Sequence, residues 1–389
     1  MIFHNDEKSC PVLPSVKYKL YQDWYIFITI QNSYLIFASI EEDRMKQLAG
    51  FLRGVNLGGW ISQFDKYDKE HFDTFITEKD IEYIASLGFD HVRVPVDYIV
   101  LEDDNGTPKE DGIKYLTNCR EWCEKNHLNM LIDLHECYGY SFDPLKKDMD
   151  REKFFYDDEL QERFFKLWKR IATVFKDYPE QVAFEPLNEV VLQEVADAWN
   201  KVASKFIKIV REICPDHVLV IGGVAYNNVM SVPLLELPTD DKVVYNFHCY
   251  EPMVFTHQGA YWVDKMPRDF RISYPKTLDE YRKAGDALAA NLAGAVYQEG
   301  IREIGEGFFE DIFAPAIEKA EKDNVCLYCG EYGVIDQADP EDRLRWMKDI
   351  HAAFLKFGIG HALWNYKQKD FGLVDEVFAS IKDRFIEIV

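Results

Sequence analysis

The chain has 389 residues, 47% of them hydrophobic, and 68 acidic against 45 basic residues give it a formal net charge of −23. This length suffices for a large core, and one barrel domain of roughly 250 residues with insertions would use it. The negative charge argues against nucleic acids and anionic membranes as partners and favours neutral ligands.

Residues 1–44 differ in composition from the rest of the chain. The stretch from Trp24 to Ile40 is rich in Ile, Tyr and Phe, but polar residues at 31–33 interrupt it, and its 17 residues fall short of the ~20 that span a membrane. It also matches a signal peptide poorly, because the preceding charges are mixed and no small-residue cleavage site follows. We interpret residues 1–44 as an appended leader or extension, with a short N-terminal β-hairpin packed on the barrel as the alternative.

The eight cysteines indicate free thiols, since they lack the spacing of a disulfide scaffold. Cys326 and Cys329 form a C-x-x-C pair, but they lie in a strand-like apolar run rather than at a helix start. We interpret them as core residues. No second Cys or His pair at matching spacing accompanies them, so no zinc site is predicted.

From residue 51 onward, short apolar runs alternate with helical patterns. The predicted strands are residues 52–56, 91–96, 130–134, 182–185, 218–221, 243–247, 326–330 and 361–364. Eight parallel strands with helices outside predict an α/β fold, the (β/α)8 TIM barrel. An open doubly wound sheet would need a Gly-rich phosphate turn after its first strand, and Gly54 with Gly58 and Gly59 does not match that turn.

The connection between the sixth and seventh predicted strands is unusually long. It contains helix-like runs at residues 278–289 and 308–322. Because most connections in such folds are short, we interpret residues 256–324 as an inserted helical subdomain that forms a lid over the strand ends. A decoration away from the site is the alternative.

Polar and aromatic residues collect at the carboxyl ends of the predicted strands, where barrel enzymes carry their catalytic groups. Two of them are glutamates, Glu189 after the fourth strand and Glu331 after the seventh. The others are Asn56, Arg93, His135, Asn188, Tyr226, Asn227, Asn228, His248, Tyr250 and Trp364. Each one alone has a structural explanation, but chance accounts poorly for all of them around one opening.

Two facing carboxylates suit the cleavage of a glycosidic bond, because one can protonate the leaving oxygen while the other attacks or activates water. The acid must keep its proton near neutral pH, which a dry setting or a neighbouring carboxylate allows. Arg93 and Tyr250 are suited to stabilise an ionised nucleophile. Asn188 can donate to a sugar hydroxyl, and Trp364 offers a flat face to a pyranose.

The motifs at these positions resemble glycoside hydrolase family 5, the cellulase family, in order and spacing. They are Arg93-Val94-Pro95, Asp133-Leu134-His135, Asn188-Glu189, His248-Cys249-Tyr250, Gly330-Glu331-Tyr332-Gly333 and Trp364-Asn365-Tyr366. Residues 54–63 and 71–80 look like the compact clostridial endoglucanase C branch of that family. The likeness covers about residues 51–370.

The resemblance implies a retaining enzyme with Glu189 as acid/base and Glu331 as nucleophile. It also implies a supporting shell, which consists of Arg93, His135, Asn188, His248, Tyr250 and Trp364. An inserted subdomain before the seventh strand of that branch fits the long connection. Two positions depart from the pattern: Val190 stands where Pro is usual, and Glu136 follows His135 where the branch carries another His, which affects glucan contacts on one side of the cleft.

We therefore expect a retaining endo-β-glucanase that cleaves β-1,4-glucan or mixed-linkage β-1,3-1,4-glucan and uses no metal or organic cofactor. The alternatives are an exo-β-1,3-glucanase, a β-glucosidase, or a non-catalytic glucan-binding barrel. Trp364, Trp60 and Trp262 are the expected aromatic platforms for sugar rings. We expect a monomer without nucleic-acid or membrane partners, and the free cysteines and poor signal sequence slightly favour the cytoplasm.

Overall fold

The computed structural model describes residues 26–30, 34–38, 45–288 and 291–389 in two units, residues 1–44 and residues 45–389. In the first unit, strand β1 (Ile26–Ile30) pairs antiparallel with strand β2 (Tyr34–Ala38). The rest of the first unit lies outside the described residues. The interpretation of residues 1–44 as a leader stays a prediction.

The second unit contains a closed barrel of eight parallel strands. They are β3 (Arg53–Asn56), β4 (His91–Asp97), β5 (Asn129–Glu136), β6 (Val182–Glu185), β7 (Leu219–Gly222), β8 (Val243–Cys249), β9 (Cys326–Tyr332) and β10 (Gly360–Leu363). Each strand pairs with the next along the chain, and β10 pairs with β3 to close the ring. The barrel prediction is confirmed, because every predicted strand corresponds to an observed one.

Helices connect the strands. They are α1 (Lys69–Thr74), α2 (Glu78–Ser86), α3 (Tyr98–Leu101), α4 (Glu110–Lys125), α5 (Lys153–Tyr156), α6 (Asp158–Phe175), α7 (Ala196–Arg211), α8 (Met253–Thr256), α9 (Leu278–Leu288), α10 (Glu306–Asp323), α11 (Pro340–Phe357) and α12 (Lys382–Ile386). Short 3₁₀ segments lie at Gln193–Val195, Val229–Leu234, Asn291–Tyr297 and Glu376–Phe378. None of the helices in the described ranges is long and apolar enough to cross a bilayer.

The long helices follow from their apolar spacing and their caps. In α7, Trp199, Ala203, Phe206 and Val210 recur every three or four residues and are all buried. Helix α6 starts where the Asp157 carboxylate accepts the backbone N–H groups of the first turn. Each helix therefore turns one apolar face to the barrel, and the polar loops are left at the strand ends.

The interior of the barrel changes from apolar to polar along the strands. Leu131, Ala183 and Val244 belong to a buried apolar cluster inside the ring. Side chains alternate between the two faces of a strand, so the next inward residues are two positions further on. At these positions β5 carries Asp133 and β6 carries Glu185, both fully buried. The polar layer lies directly under the strand ends that carry the candidate site.

Part of the predicted insertion belongs to the outer ring of helices. Helix α10 buries its phenylalanines against the barrel, with the ring of Phe313 centred 5.0 Å from that of Phe247 in β8. Phe309 also meets Trp346 of α11, with ring centroids 5.5 Å apart. Helix α10 is therefore the crossover helix before β9. Only residues 250–305 make the connection between β8 and β9 longer than is usual in a barrel.

The cysteine predictions agree with the structure. The seven cysteines of the described residues are free and buried, and Cys10 lies outside those residues. Cys326 and Cys329 both lie in β9, where they are part of the core. The interpretation of this pair as core residues is confirmed.

A close contact between β3 and β4 gives a test of barrel packing. A Cβ at Gly54 would lie 2.1 Å from Nε2 of His91. Because His91 is fully buried and its Nε2 lies 2.7 Å from the Tyr328 hydroxyl, the ring has no space to move. We expect Gly54→Ala to lower the free energy of unfolding by about 1–3 kcal/mol or more in urea denaturation.

The matched control is Gly307→Ala in α10, where the nearest atom to a new Cβ is 3.5 Å away. This change should leave stability unchanged or raise it by up to about 1 kcal/mol, because alanine favours helix. Equal unfolding midpoints for Gly54→Ala and wild type would contradict the packing described.

Candidate active site

The carboxyl ends of the strands open into a large cleft of about 1970 Å³. Five of the predicted site residues line it, namely Glu189, His248, Tyr250, Glu331 and Trp364. The other three, Arg93, His135 and Asn188, are buried and contact this group. The structure thus brings together all eight residues predicted from the sequence.

An irregularity in strand pairing positions Glu331. Opposite β8, strand β9 contains an extra residue, so that His248 pairs with Glu331 and Gly330 is skipped. Bulges of this kind bend a strand and redirect its side chains. A Cβ at Gly330 would lie 2.9 Å from the side-chain amide of Asn246, so glycine is needed at this position. The pairing places Glu331 beside His248 at the base of the cleft.

Arg93 uses all five of its N–H donors inside the site. Its Nε and Nη2 donate to the two carboxylate oxygens of Glu185, at 2.7 and 2.9 Å. Nη2 also donates to Oδ1 of Asn188 at 2.7 Å, and Nη1 donates to Oδ1 of Asn56 at 2.9 Å and to Oε1 of Glu331 at 2.8 Å. Arg93 therefore fixes one candidate catalytic carboxylate and the amide beside the other.

Sequence reasoning missed three residues of this network: Asp133, Glu185 and Asn246. Asp133 lies 3.1 Å from Nη2 of Arg93 and 2.5 Å from Nδ1 of His135, and Asn246 donates to Glu185 at 2.9 Å. All three are fully buried. The signal that could have found Asp133 and Asn246 is a polar residue inside an apolar strand, two positions before a site histidine, His135 or His248, and thus on the same face of the strand.

Glu331 has a donor at each carboxylate oxygen. The Tyr250 hydroxyl donates to Oε2 at 2.9 Å, and Arg93 donates to Oε1. Burial raises the pKa of Glu331, but the Arg93 charge and the Tyr250 hydrogen bond act in the opposite direction. The surroundings thus stabilise the ionised form of this carboxyl group more than that of Glu189.

Glu189 lacks such donors. Its Oε1 lies 2.9 Å from Nδ1 of His248, and burial lowers the pKa of that imidazole well below its ordinary value, so the ring is neutral. Burial and then the charge of Glu331 raise the pKa of Glu189 well above the ordinary range of a glutamate. Of the two glutamates, Glu189 is therefore the one whose surroundings favour the protonated form.

Glu189, His248 and Glu331 each offer an atom within 4.8 Å of the other two. Among the described residues this is the one group with the spacing to hold a cation. A short separation also suits two carboxyl groups that act on one bond.

Several buried polar atoms in the site have no protein partner among the described residues. They are Nδ2 of Asn188, Nε2 of His135 and Nε2 of His248. Buried polar groups are nearly always hydrogen-bonded, so free ones in a cleft indicate atoms that a ligand satisfies. The Trp364 ring lies parallel to that of His135 with centroids 5.8 Å apart, beside these atoms.

The prediction that Trp60 is an aromatic platform for a sugar ring is wrong. Trp60 is fully buried, its indole N–H donates to the carbonyl of Phe72 at 2.7 Å, and its ring stacks on Trp122. The turn after β3 directs it into the helical layer rather than into the cleft. Trp262 and Trp364 do line the cleft, as predicted.

A proton-holding carboxyl group and a donor-stabilised carboxylate, close together at the open end of a (β/α)8 barrel, define a glycoside hydrolase. The family model described as Cellulase (glycosyl hydrolase family 5) matches residues 52–370. The chain belongs to this family.

The chain is also similar to named relatives over most of its length. It is 40% identical to endoglucanase C of Acetivibrio thermocellus across 88% of this chain and 98% of that protein. It is 39% identical to cellodextrinase A of Ruminococcus flavefaciens across 81% of this chain and 85% of that protein.

Solved structures show the same fold at lower identity. Cel5A of Thermotoga maritima in complex with cellobiose superposes with a TM-score of 0.68 at 23% identity, covering 87% of this chain and 97% of that one. This likeness supports the barrel architecture.

The Arg93 network can be tested by a change that keeps the charge. Lysine has three N–H donors on one nitrogen and cannot replace the five of the guanidinium, so Arg93→Lys would leave buried acceptors unpaired. We expect this variant to lose about 3–5 kcal/mol of unfolding free energy in urea denaturation. Arg53→Lys, at an exposed arginine of β3, is the control and should unfold like wild type. Matching midpoints for the two variants would contradict the network.

Proposed function

We propose that the chain is a retaining endo-β-glucanase that cleaves β-1,4-glucan or mixed-linkage β-1,3-1,4-glucan, with Glu189 as acid/base and Glu331 as nucleophile. The observation that carries the proposal is the pair of unlike carboxyl groups, which lie with His248 in a cluster whose atoms are within 4.8 Å of one another. Retaining glycosidases hold their two carboxyl groups about 5–5.5 Å apart, whereas inverting ones leave room for a water molecule.

The reaction has two displacements at the anomeric carbon. In the first, the Glu331 carboxylate forms a bond to that carbon while Glu189 gives its proton to the departing glycosidic oxygen. In the second, the ionised Glu189 takes a proton from water, the water oxygen bonds to the same carbon, and Glu331 departs as a carboxylate. The anomeric configuration is retained because the carbon is inverted twice.

The supporting residues act on the sugar at the cleavage point. Nδ2 of Asn188 is free to donate to a sugar hydroxyl, while its Oδ1 is held by Arg93. His135 offers Nε2 because its Nδ1 is bound to Asp133. Trp364 lies parallel to His135 and supplies the apolar face of this position.

The glucan substrate follows from the relatives at about 40% identity, which are named endoglucanase C and cellodextrinase A. A large cleft that runs across the strand ends favours internal cleavage of a polymer. The second name supports an alternative, in which the enzyme acts on short cellodextrins. No cofactor is needed in either case, and we expect a monomer.

We also propose that the segment of residues 256–305 before α10 forms the predicted lid or wall of the cleft. Trp262, Met266 and Arg268 of this segment line it. Tyr261, beside them, is 55% exposed and its ring packs edge-on against Trp262. This aromatic surface suits a sugar ring away from the cleavage point.

Hydrolysis of defined polymers tests the proposal. Wild type should release oligosaccharides of mixed length from barley mixed-linkage glucan and carboxymethyl cellulose, with laminarin and glucomannan as comparison substrates. Glu189→Gln and Glu331→Gln should each lose about 10³-fold or more in rate, because each change removes one of the two reacting groups. Addition of EDTA should change nothing.

Other product patterns would redirect the proposal. Glucose as the sole early product would indicate an exo-enzyme, and turnover of cellodextrins alone would favour the cellodextrinase alternative. Binding of glucan without turnover by wild type would indicate a non-catalytic barrel.

The pH dependence follows from the two carboxyl groups. Because Glu331 must be ionised and Glu189 protonated in the first step, kcat/KM should fall on both sides of an optimum. The raised pKa of Glu189 moves the basic limb of the kcat/KM profile to higher pH than an ordinary glutamate would give, since activity is lost as pH rises through that pKa.

A 2,4-dinitrophenyl glycoside needs no proton on its leaving group. With that substrate, Glu189→Gln should lose the basic limb of the kcat/KM profile and keep the acidic one. A basic limb that persists unchanged in this variant would show that the limb does not come from the titration of Glu189.

A further inference from the structure

A buried tyrosine with no part in the proposed displacement is bound to the loop that carries Glu189. Tyr140 is 1% exposed, and its hydroxyl donates to the backbone carbonyl of Glu189 at 2.6 Å. The same hydroxyl accepts the backbone N–H of Val191 at 2.8 Å. One side-chain oxygen therefore bridges two backbone groups, the first of which belongs to the proposed acid.

The turn after β5 holds Tyr140 in this position. The backbone N–H of Tyr140 donates to the carbonyl of Cys137 at 3.0 Å. Gly139, within the turn, has a φ of 84°, which favours glycine, and a Cβ there would lie 2.8 Å from the Leu160 side chain. The Tyr140 ring packs edge-on against that of Phe155, with centroids 5.5 Å apart. Backbone and ring together thus fix the hydroxyl.

The loop after β6 depends on contacts of this kind, because residues 186–192 form neither a helix nor a strand. The N–H of Asn188 donates to the carbonyl of Leu134 at 3.1 Å, and the carbonyl of Val190 accepts the N–H of Tyr226 at 3.0 Å. Backbone groups that are buried need such partners, and a hydroxyl can both donate and accept. The Tyr140 hydroxyl adds two bonds and so fixes the peptide groups on both sides of Val190.

The two proposed reacting groups are held by different parts of the structure. Glu331 lies in β9, where strand pairing fixes its backbone, and Arg93 donates to its carboxylate. Glu189 lies in a loop, with His248 at its carboxyl group and Tyr140 at its carbonyl. Loss of the Tyr140 hydroxyl therefore acts on the acid directly and leaves the contacts of the nucleophile in place.

We propose that Tyr140 is a positioning residue, which holds Glu189 where it can protonate the leaving oxygen and later take a proton from water. The proposal rests on the proposed function and adds a residue to it. A misplacement of about 1 Å at a reacting group can cost about 10²-fold in rate. In this role Tyr140 acts through Glu189 and does not contact the substrate.

The experiment compares two leaving groups in Tyr140→Phe, which removes the hydroxyl and keeps the ring. Phenyl β-cellobioside needs a proton on its leaving oxygen, whereas 2,4-dinitrophenyl β-cellobioside does not. The value of kcat/KM should fall about tenfold or more with the phenyl substrate and less than about twofold with the dinitrophenyl substrate. Glu189→Gln should show the same contrast in larger form. The ratio of the two values in one sample does not depend on the fraction of folded enzyme.

The second displacement gives an independent readout. Because dinitrophenolate departs readily, kcat with that substrate reports the attack of water on the sugar attached to Glu331, for which Glu189 is the base. We expect this kcat to fall about tenfold or more in Tyr140→Phe and sodium azide to restore it. Azide bonds to the anomeric carbon without losing a proton, Glu331 departs as a carboxylate, and the product is a β-glycosyl azide.

Tyr245→Phe is the matched control. Tyr245 in β8 is also fully buried, and its hydroxyl donates to Oδ2 of Asp323 in α10 at 2.5 Å, within the helical layer. This variant loses a buried hydroxyl away from the site, so its ratio of kcat/KM values and its response to azide should equal those of wild type.

Equal losses of kcat/KM with the two substrates, or no loss with either, would overturn the positioning role of Tyr140. A lowered kcat that azide does not restore would also overturn it, because the base would then not be the group affected. If Glu189→Gln itself lacks the contrast between leaving groups, the acid role in the proposed function is overturned. Wild type inactive on both substrates would overturn the proposed function and the positioning role with it.

Discussion

The candidate site depends on one buried guanidinium. Arg93 is fully buried in β4, and an arginine stays charged even there, so all five of its N–H groups require acceptors. Those acceptors come from β3, from β6 and the loop after it, and from β9. A buried charge without partners is strongly destabilising. The closed barrel brings these acceptors around Arg93, and the hydrogen bond that helps to satisfy Arg93 also holds Glu331 in place.

Charge balance within this network explains why the surroundings of Glu189 and Glu331 affect their affinity for a proton differently. One guanidinium faces the carboxyl groups of Asp133, Glu185 and Glu331 at 3.1 Å or less. Burial, opposed by the Arg93 charge, raises the pKa of Asp133 and of Glu185 to about 7. The polar layer that these two residues form under the strand ends therefore tends to hold protons. Glu331 has the Tyr250 hydroxyl in addition, and its charge adds to the burial that raises the pKa of Glu189.

The sequence predicted what lies at strand ends better than what lies inside strands. Glu189, Glu331 and most of their six companions lie at or after the ends of apolar runs, and parallel strands bring such positions together whatever the details of packing. Asp133 and Glu185 are single charges within apolar runs, and only the register, which pairs them directly, shows that they share one layer. Trp60 and α10 were misassigned because a turn direction and a helix contact depend on tertiary packing, which residue spacing does not encode.

The same rule governs the reacting carboxyls and the acidic pair at Asp97 and Glu136. In each pair one carboxyl group receives the available donors, Arg93 and Tyr250 for Glu331, Lys146 and Ser141 for Glu136. Its partner is buried with few donors beside the resulting charge, and its pKa rises. Neighbouring carboxyl groups thus come to differ in their affinity for a proton through the groups around them. For Glu189 and Glu331, this difference suits one carboxyl group to donate a proton and the other to attack as a carboxylate, as we propose.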